Sequence, residues 1–174
     1  WAGSFSFWLR IDPVNGLADG YSDPFIITDK NWDNASFYVD FTDVAPRHFR
    51  FAAFSDKSLW NPDGLSWEDF PAADRPMIDI ASYPFQADAW THVVLTFEKI
   101  NAAGEESTVI GYLNGEAVGE LEKEGVAISW ETERVLMALG RHYAGDFDEL
   151  AVFNRALSPN EVKALYTFPL IDLL

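Results

Sequence analysis

Apolar and polar residues alternate with period two along most of this chain, the spacing of strands that present one face to a core. In the run from Gly3 to Ile11, Phe5, Phe7, Leu9 and Ile11 fall on one face, and Ser4, Ser6 and Arg10 fall on the other. Pro13, Asn15 and Gly16 then end the strand. Further strands are predicted at Pro24–Thr28, Ser36–Thr42, His48–Phe54 and Trp90–Glu98. In the last of these Val93, Leu95 and Phe97 point inward, and His92 and Thr96 outward. Thr108–Asn114, Ala117–Leu121, Val135–Leu139 and Phe147–Asn154 complete the set, and Asn114-Gly115 is a two-residue hairpin signal. One helix is predicted at Ser158–Tyr166: Ser158 caps it, Pro159 suits its first position, Glu161 completes a capping box, and Val162, Leu165 and Tyr166 share a face. Many strands and one short C-terminal helix describe an all-β, two-sheet antiparallel β-sandwich with a helical lid. The stretch Ser55–Pro76 has no clear period and reads as a long, functional or mobile loop.

Composition narrows this picture. The 174 residues fit one domain, 1–174, and 48% apolar with 16% aromatic residues supply a large core and exclude disorder. No apolar run approaches the ~18 residues of a membrane span. A net charge of −16 repels phosphate backbones and argues against a nucleic-acid partner. It reads as a solvated acidic surface, part of which bound Ca²⁺ could offset. Cysteine is absent, which leaves the compartment open. The chain opens at Trp1 without an initiator Met or a signal segment, so it is read as a domain cut from a longer protein.

Four blocks carry a resemblance: Phe5-Ser6-Phe7-Trp8-Leu9, Trp90 to Phe97, Tyr112 to Glu116, and Gly145 to Glu161 with its Phe147-Asp148-Glu149-Leu150 core. In order and spacing they are similar to the laminin-G-like jelly-roll domains of the concanavalin A-like lectin and glucanase superfamily. The resemblance implies a jelly-roll sandwich of two antiparallel sheets with six or seven strands each, one of them concave and rimmed by loops. It also implies an extracellular or cell-surface module, often bacterial, that binds glycans or proteins. Family members hold a structural Ca²⁺ with an Asp at the start of the last strand, and Asp148 is the matching position. The alternative is an Asp bonded to backbone N–H groups; Asp146 is a weaker metal candidate.

Three other features have candidate chemistry. Trp60 and Trp67 with Asn61, Asp63, Glu68 and Asp69 place stacking rings and hydroxyl-binding groups on the Ser55–Pro76 loop. The favoured alternative is that the same tryptophans pack inward as that loop's own small core. Arg141, His142 and Tyr143 are placed on a rim loop, where they could contact an anionic or carbohydrate ligand. Asp29 to Asn34, around Trp32, lacks the spacing of a calcium loop and reads as a polar hairpin turn. Trp8 and Trp90 read as core or sheet-face residues, and Trp130 is undecided.

Catalysis finds little support. The E-x-D-x-x-E strand of glucanases is missing, and Glu120, Glu122 and Glu124 read as a solvated strand end. None of the three histidines stands in a metal-ligand spacing, and no nucleophile elbow occurs. The sequence therefore points to a non-catalytic module that binds carbohydrate. A structural or protein-interaction domain is the second reading, and a divergent glycosidase or lyase the third.

Overall fold

The computed structural model describes residues 1–17 and 19–168. Its elements in chain order are β1 (Gly3–Arg10), β2 (Ser22–Asn31), β3 (Asn34–Phe41), β4 (Phe49–Phe54), α1 (Lys57–Trp60), a 3-10 turn (Ala72–Asp74), β5 (Met77–Ile80), β6 (Thr91–Glu98), β7 (Glu106–Leu113), β8 (Glu116–Glu124), β9 (Leu136–Arg141), β10 (Asp146–Phe153) and α2 (Pro159–Thr167). Two antiparallel sheets form, ordered β10-β1-β6-β7-β8 and β5-β4-β3-β2-β9. Each has five strands among the described residues, fewer than the resemblance implied. The jelly-roll sandwich read from the sequence is the fold.

The core lies where the alternation puts it. Phe5, Phe7, Leu9, Val93, Leu95 and Phe97 of the first sheet meet Phe25, Phe37, Val39, Phe41, Phe49 and Phe51 of the second. Phe5 and Phe25 rings lie 4.7 Å apart, Phe37 and Phe97 4.5 Å apart, which is aromatic contact distance. Gly111 on β7 leaves room for this packing: a Cβ there would fall 2.6 Å from the Phe51 ring. Asn114 and Gly115 turn β7 into β8 with φ of 51° and 79°, as the Asn-Gly pair predicts.

Both outer faces are covered in part, and here the structure departs from the sequence reading. Ser4, Ser6, His92 and Thr96, which alternation sends outward, are at most 4% exposed. Alternation assigns a side of the sheet but not what lies over it; α2 and the residues leading into it lie over it, packing Val162 and Leu157 onto Val94 and Tyr112. The helix has the capping box read from the sequence, with Ser158 and Glu161 bonding each other's backbone N–H.

On the other sheet, Ser55–Pro76 folds down as a cover. It is not without regular structure: α1 and the 3-10 turn lie inside it, and it leads into β5, a strand the sequence reading lacks. Trp60 and Trp67 pack on Ile26, Tyr38, Ala52 and Phe54. These four outward residues of β2, β3 and β4 would otherwise leave a large apolar surface in water. β9 starts and ends later than predicted, so Arg141 closes a strand instead of opening a loop. Glu120, Glu122 and Glu124 line the exposed side of edge strand β8, where charge discourages pairing with other chains.

Candidate functional site

The loop covers only part of the second sheet's outer face. Beside it, a cavity of about 490 Å³ opens over β2, β3 and β4. Its lining includes Ile26, Tyr38, Asp40 and Arg50 from the strands, Trp32 from the β2–β3 hairpin, and Trp67 and Glu68 from the cover loop. Asp19, Gly20, Tyr21 and Asp23 border it on one side, Asp43 on another, and Arg141 and His142 at the end of β9.

Strand register places the polar floor. Tyr38 and Asp40 alternate with the core residues Phe37, Val39 and Phe41, and Arg50 stands directly across from Asp40 on β4. Arg50 Nε donates to Asp40 Oδ1 at 2.8 Å and its Nη2 to Oδ2, a bidentate pair that is buried on both sides. Burial pushes the Asp40 carboxyl up to about 6, and the Arg50 hydrogen bonds and charge hold it from rising further. For Arg50 burial works against the charge, but Asp40 outweighs it and the guanidinium is held above its ordinary value. The two shifts point opposite ways for the pair's charge; with bidentate geometry the pair is ionised at neutral pH.

A second cross-strand pair stands at the rim. Arg141 Nη1 donates to Asp23 Oδ2 at 3.1 Å, with Asp23 buried and Arg141 half exposed. Burial raises the Asp23 carboxyl, opposed by Arg141. Arg50 also lies 5.1 Å over the Tyr21 ring. Between these groups the Tyr38 hydroxyl is buried and has no hydrogen-bond partner, and burial raises its pKa well above the ordinary value.

The aromatic wall is built by two segments distant in sequence. Trp67 meets Trp32 edge to face, 5.3 Å apart at 84°. Arg75 lies 4.0 Å over the Trp67 ring and donates to its carbonyl, holding the indole from behind. Trp32 is 40% exposed at the hairpin tip and also leans on Phe54 and Tyr38.

Of the residues the sequence singles out, the structure brings Trp67, Arg141 and His142 to this cavity. Trp60 lies outside its lining, under the cover loop, donating to the Asp33 carbonyl at 2.8 Å and packing on Phe54 and Phe70. Asn61 is buried and clamps its own loop through Leu65 N and O. Asp63 is exposed on the loop surface, outside the lining. Tyr143 turns its hydroxyl to the Asp146 and Arg10 carbonyls and packs its ring on the core. Trp130 donates to the Ala35 carbonyl and packs on the core edge, and Arg10 covers Trp90 at 5.0 Å.

Sequence reasoning missed Tyr21, Asp23, Tyr38, Asp40 and Arg50, and it set Trp32 aside as part of a turn. A signal was there: Asp40 and Arg50 are charges flanked on both sides by phenylalanine or valine, so they lie mid-strand on the outward face.

Asp148 lies opposite Trp8, where the β1–β10 ladder shifts register, and its Oδ1 accepts from Glu149 N at 2.8 Å. Glu149 has φ of 51° there. Asp146 is committed to Arg10 at 2.8 Å. A calcium ion takes roughly six to eight oxygens. Among the described residues no three acidic, His or Cys side chains gather to supply them. The Asp148 carboxylate thus serves the backbone of the bulge, and a calcium ion held there would draw its further ligands from backbone carbonyls.

A laminin G family model, described as the concanavalin A-like lectin/glucanases superfamily, matches residues 2–163. No curated protein matches the chain. Among solved structures the chain is similar to the binding domain of botulinum neurotoxin DC in complex with SialylT, at 15% identity and TM-score 0.58 over 95% of this chain and 35% of that one. It is also similar to the CBM40 of the Ruminococcus gnavus IT-sialidase, at 14% identity and TM-score 0.61 over 95% of this chain and 82% of that one. The same CBM40 is known bound to alpha2,3 sialyllactose. A leech intramolecular trans-sialidase matches at 16% identity and TM-score 0.58 over 94% of this chain and 23% of that one. The chain thus spans about a third of the neurotoxin chain and a quarter or less of the trans-sialidase. At these identities the likeness is one of fold.

Proposed function

Since the chain belongs to the concanavalin A-like lectin/glucanases superfamily, we propose that it is a non-catalytic carbohydrate-binding module of an extracellular or cell-surface protein. Its ligand would lie in the cavity on the outer face of the second sheet. The observation that carries the reading is the meeting of two indole rings with a row of polar groups in that cavity. A sugar has an apolar C–H face that packs on an aromatic ring and hydroxyls that bond to carboxylates and to a phenol. Trp32 and Trp67 supply the rings; Asp23, Glu68 and Tyr38 supply the polar groups. The volume falls within the roughly 300–1,000 Å³ usual for small-molecule sites.

Several solved neighbours carry carbohydrate in their descriptions, sialyllactose among them, which supports the class of ligand. The non-catalytic part of the reading rests on Asp40. It is the most perturbed acid in the cavity, yet both its oxygens are taken by Arg50, so none is left to protonate a leaving group.

A glycan array tests the proposal, with Trp67→Ala and Trp32→Ala as binding variants and Trp60→Ala as a control outside the cavity. Losing a stacking ring costs about 1 kcal/mol, or roughly a fivefold drop in affinity. A blank array for the wild type would defeat the reading. Leu136, Met137 and Leu139, exposed on edge strand β9, favour the second reading in that case, a domain that docks a protein neighbour.

A further inference from the structure

We infer that the cavity selects an uncharged, hydroxyl-rich sugar and rejects a sialylated one, an inference that rests on the carbohydrate reading above. The sialic acid carboxylate needs a cation to receive it, and arginine is the usual partner because its fork matches two oxygens. Both arginines of this cavity are already matched. Arg50 is clamped by Asp40 through two bonds, and Arg141 is held by Asp23.

The remaining acids tip the balance. Asp19, Asp43 and Glu68 stand exposed around the mouth, and among the described residues none of them is in a salt bridge. The lining therefore holds five carboxylates against two guanidiniums, which is −3 when His142 is neutral. An arriving carboxylate meets a net repulsion, whereas a hydroxyl finds acceptors.

The second observation is the Tyr38 hydroxyl. It is buried at 2% exposure on the cavity floor and has no partner, which is costly unless a bound molecule satisfies it. A sugar hydroxyl both donates and accepts, so it fits a phenol flanked by acids. A carboxylate only accepts, and beside Asp40 it would add a second negative charge.

The test is an array of neutral oligosaccharides, each also printed with a terminal sialic acid. Matched pairs are then titrated in solution at low and at high salt. The neutral member of each pair is expected to bind better, by on the order of tenfold at low ionic strength, with the gap narrowing as salt is added. The doubly neutralised variant Asp19→Asn/Asp43→Asn is expected to close much of the gap. Both positions are exposed, so its melting temperature should match the wild type. Equal or better binding of the sialylated member overturns the selectivity while the carbohydrate reading survives. An unchanged gap in the neutralised variant overturns the charge mechanism. Absence of binding to any glycan overturns both.

Discussion

Acidification from pH 7 to about 4 should destabilise this protein at His92. Its imidazole lies between β1 and α2, 1% exposed, with Nε2 2.9 Å from Ser6 Oγ. The rings of Trp8 and Tyr166 flank it, at 4.8 Å and 6.3 Å. Nδ1 has no partner, and among the described residues no carboxylate is paired with the ring to stabilise an imidazolium. Burial lowers its pKa from the ordinary 6.5 to about 4.

The sign follows from proton binding. Between about pH 6.5 and 4 the unfolded chain holds a proton at this site and the folded protein does not, so stability falls as pH falls through that window. With a gap of about 2.5 units, the loss is about 2 kcal/mol at pH 5 and about 3 kcal/mol at pH 4. Urea unfolding across pH for the wild type and for His92→Gln checks this, since glutamine can still bond to Ser6 but does not titrate. Asp40 works the other way: its raised pKa adds stability as pH falls from about 6 toward its unfolded value, but equally in both proteins. Taking the difference between the two curves isolates His92. Parallel curves between pH 7 and 4 would refute the argument, because they would mean that the ring charges in the folded state at little cost.

The other predictions concern the cavity and the last strand. Arg50→Ala leaves the Asp40 carboxylate buried without its partner and should cost about 3–5 kcal/mol in chemical denaturation at pH 7. Asp40→Asn/Arg50→Gln, which removes both charges, should recover much of that loss; if it is no more stable than the single variant, the pair is not the cause. If Asp148 holds calcium together with backbone carbonyls, calcium should raise the melting temperature of the wild type by several degrees relative to excess chelator. The rise should vanish in Asp148→Asn, and a melting temperature that calcium leaves unchanged in the wild type would refute the site.

Much of the architecture was legible because it follows from short-range chemistry. Period-two alternation in Phe5 to Ile11 and Val93 to Phe97 assigns core faces that the structure keeps. Asn114-Gly115 and the Ser158–Glu161 box act within a few residues, so their turn and cap are determined locally. Alternation failed where a third layer intervenes. His92 and Ser6 read as outward yet are buried, since only the position of α2 decides that.

The cavity belongs wholly to tertiary structure. Trp32 and Trp67 are separated by a strand pair and a loop, Asp23 and Arg141 by most of the chain, and only strand order makes them neighbours. Sequence by itself determined that this chain is a β-sandwich closed by a capped helix, because side-chain periodicity and turn chemistry are properties of neighbouring residues. Sheet order and the fold of the Ser55–Pro76 cover decided which aromatics and charges share a cavity, because those depend on pairings between distant segments.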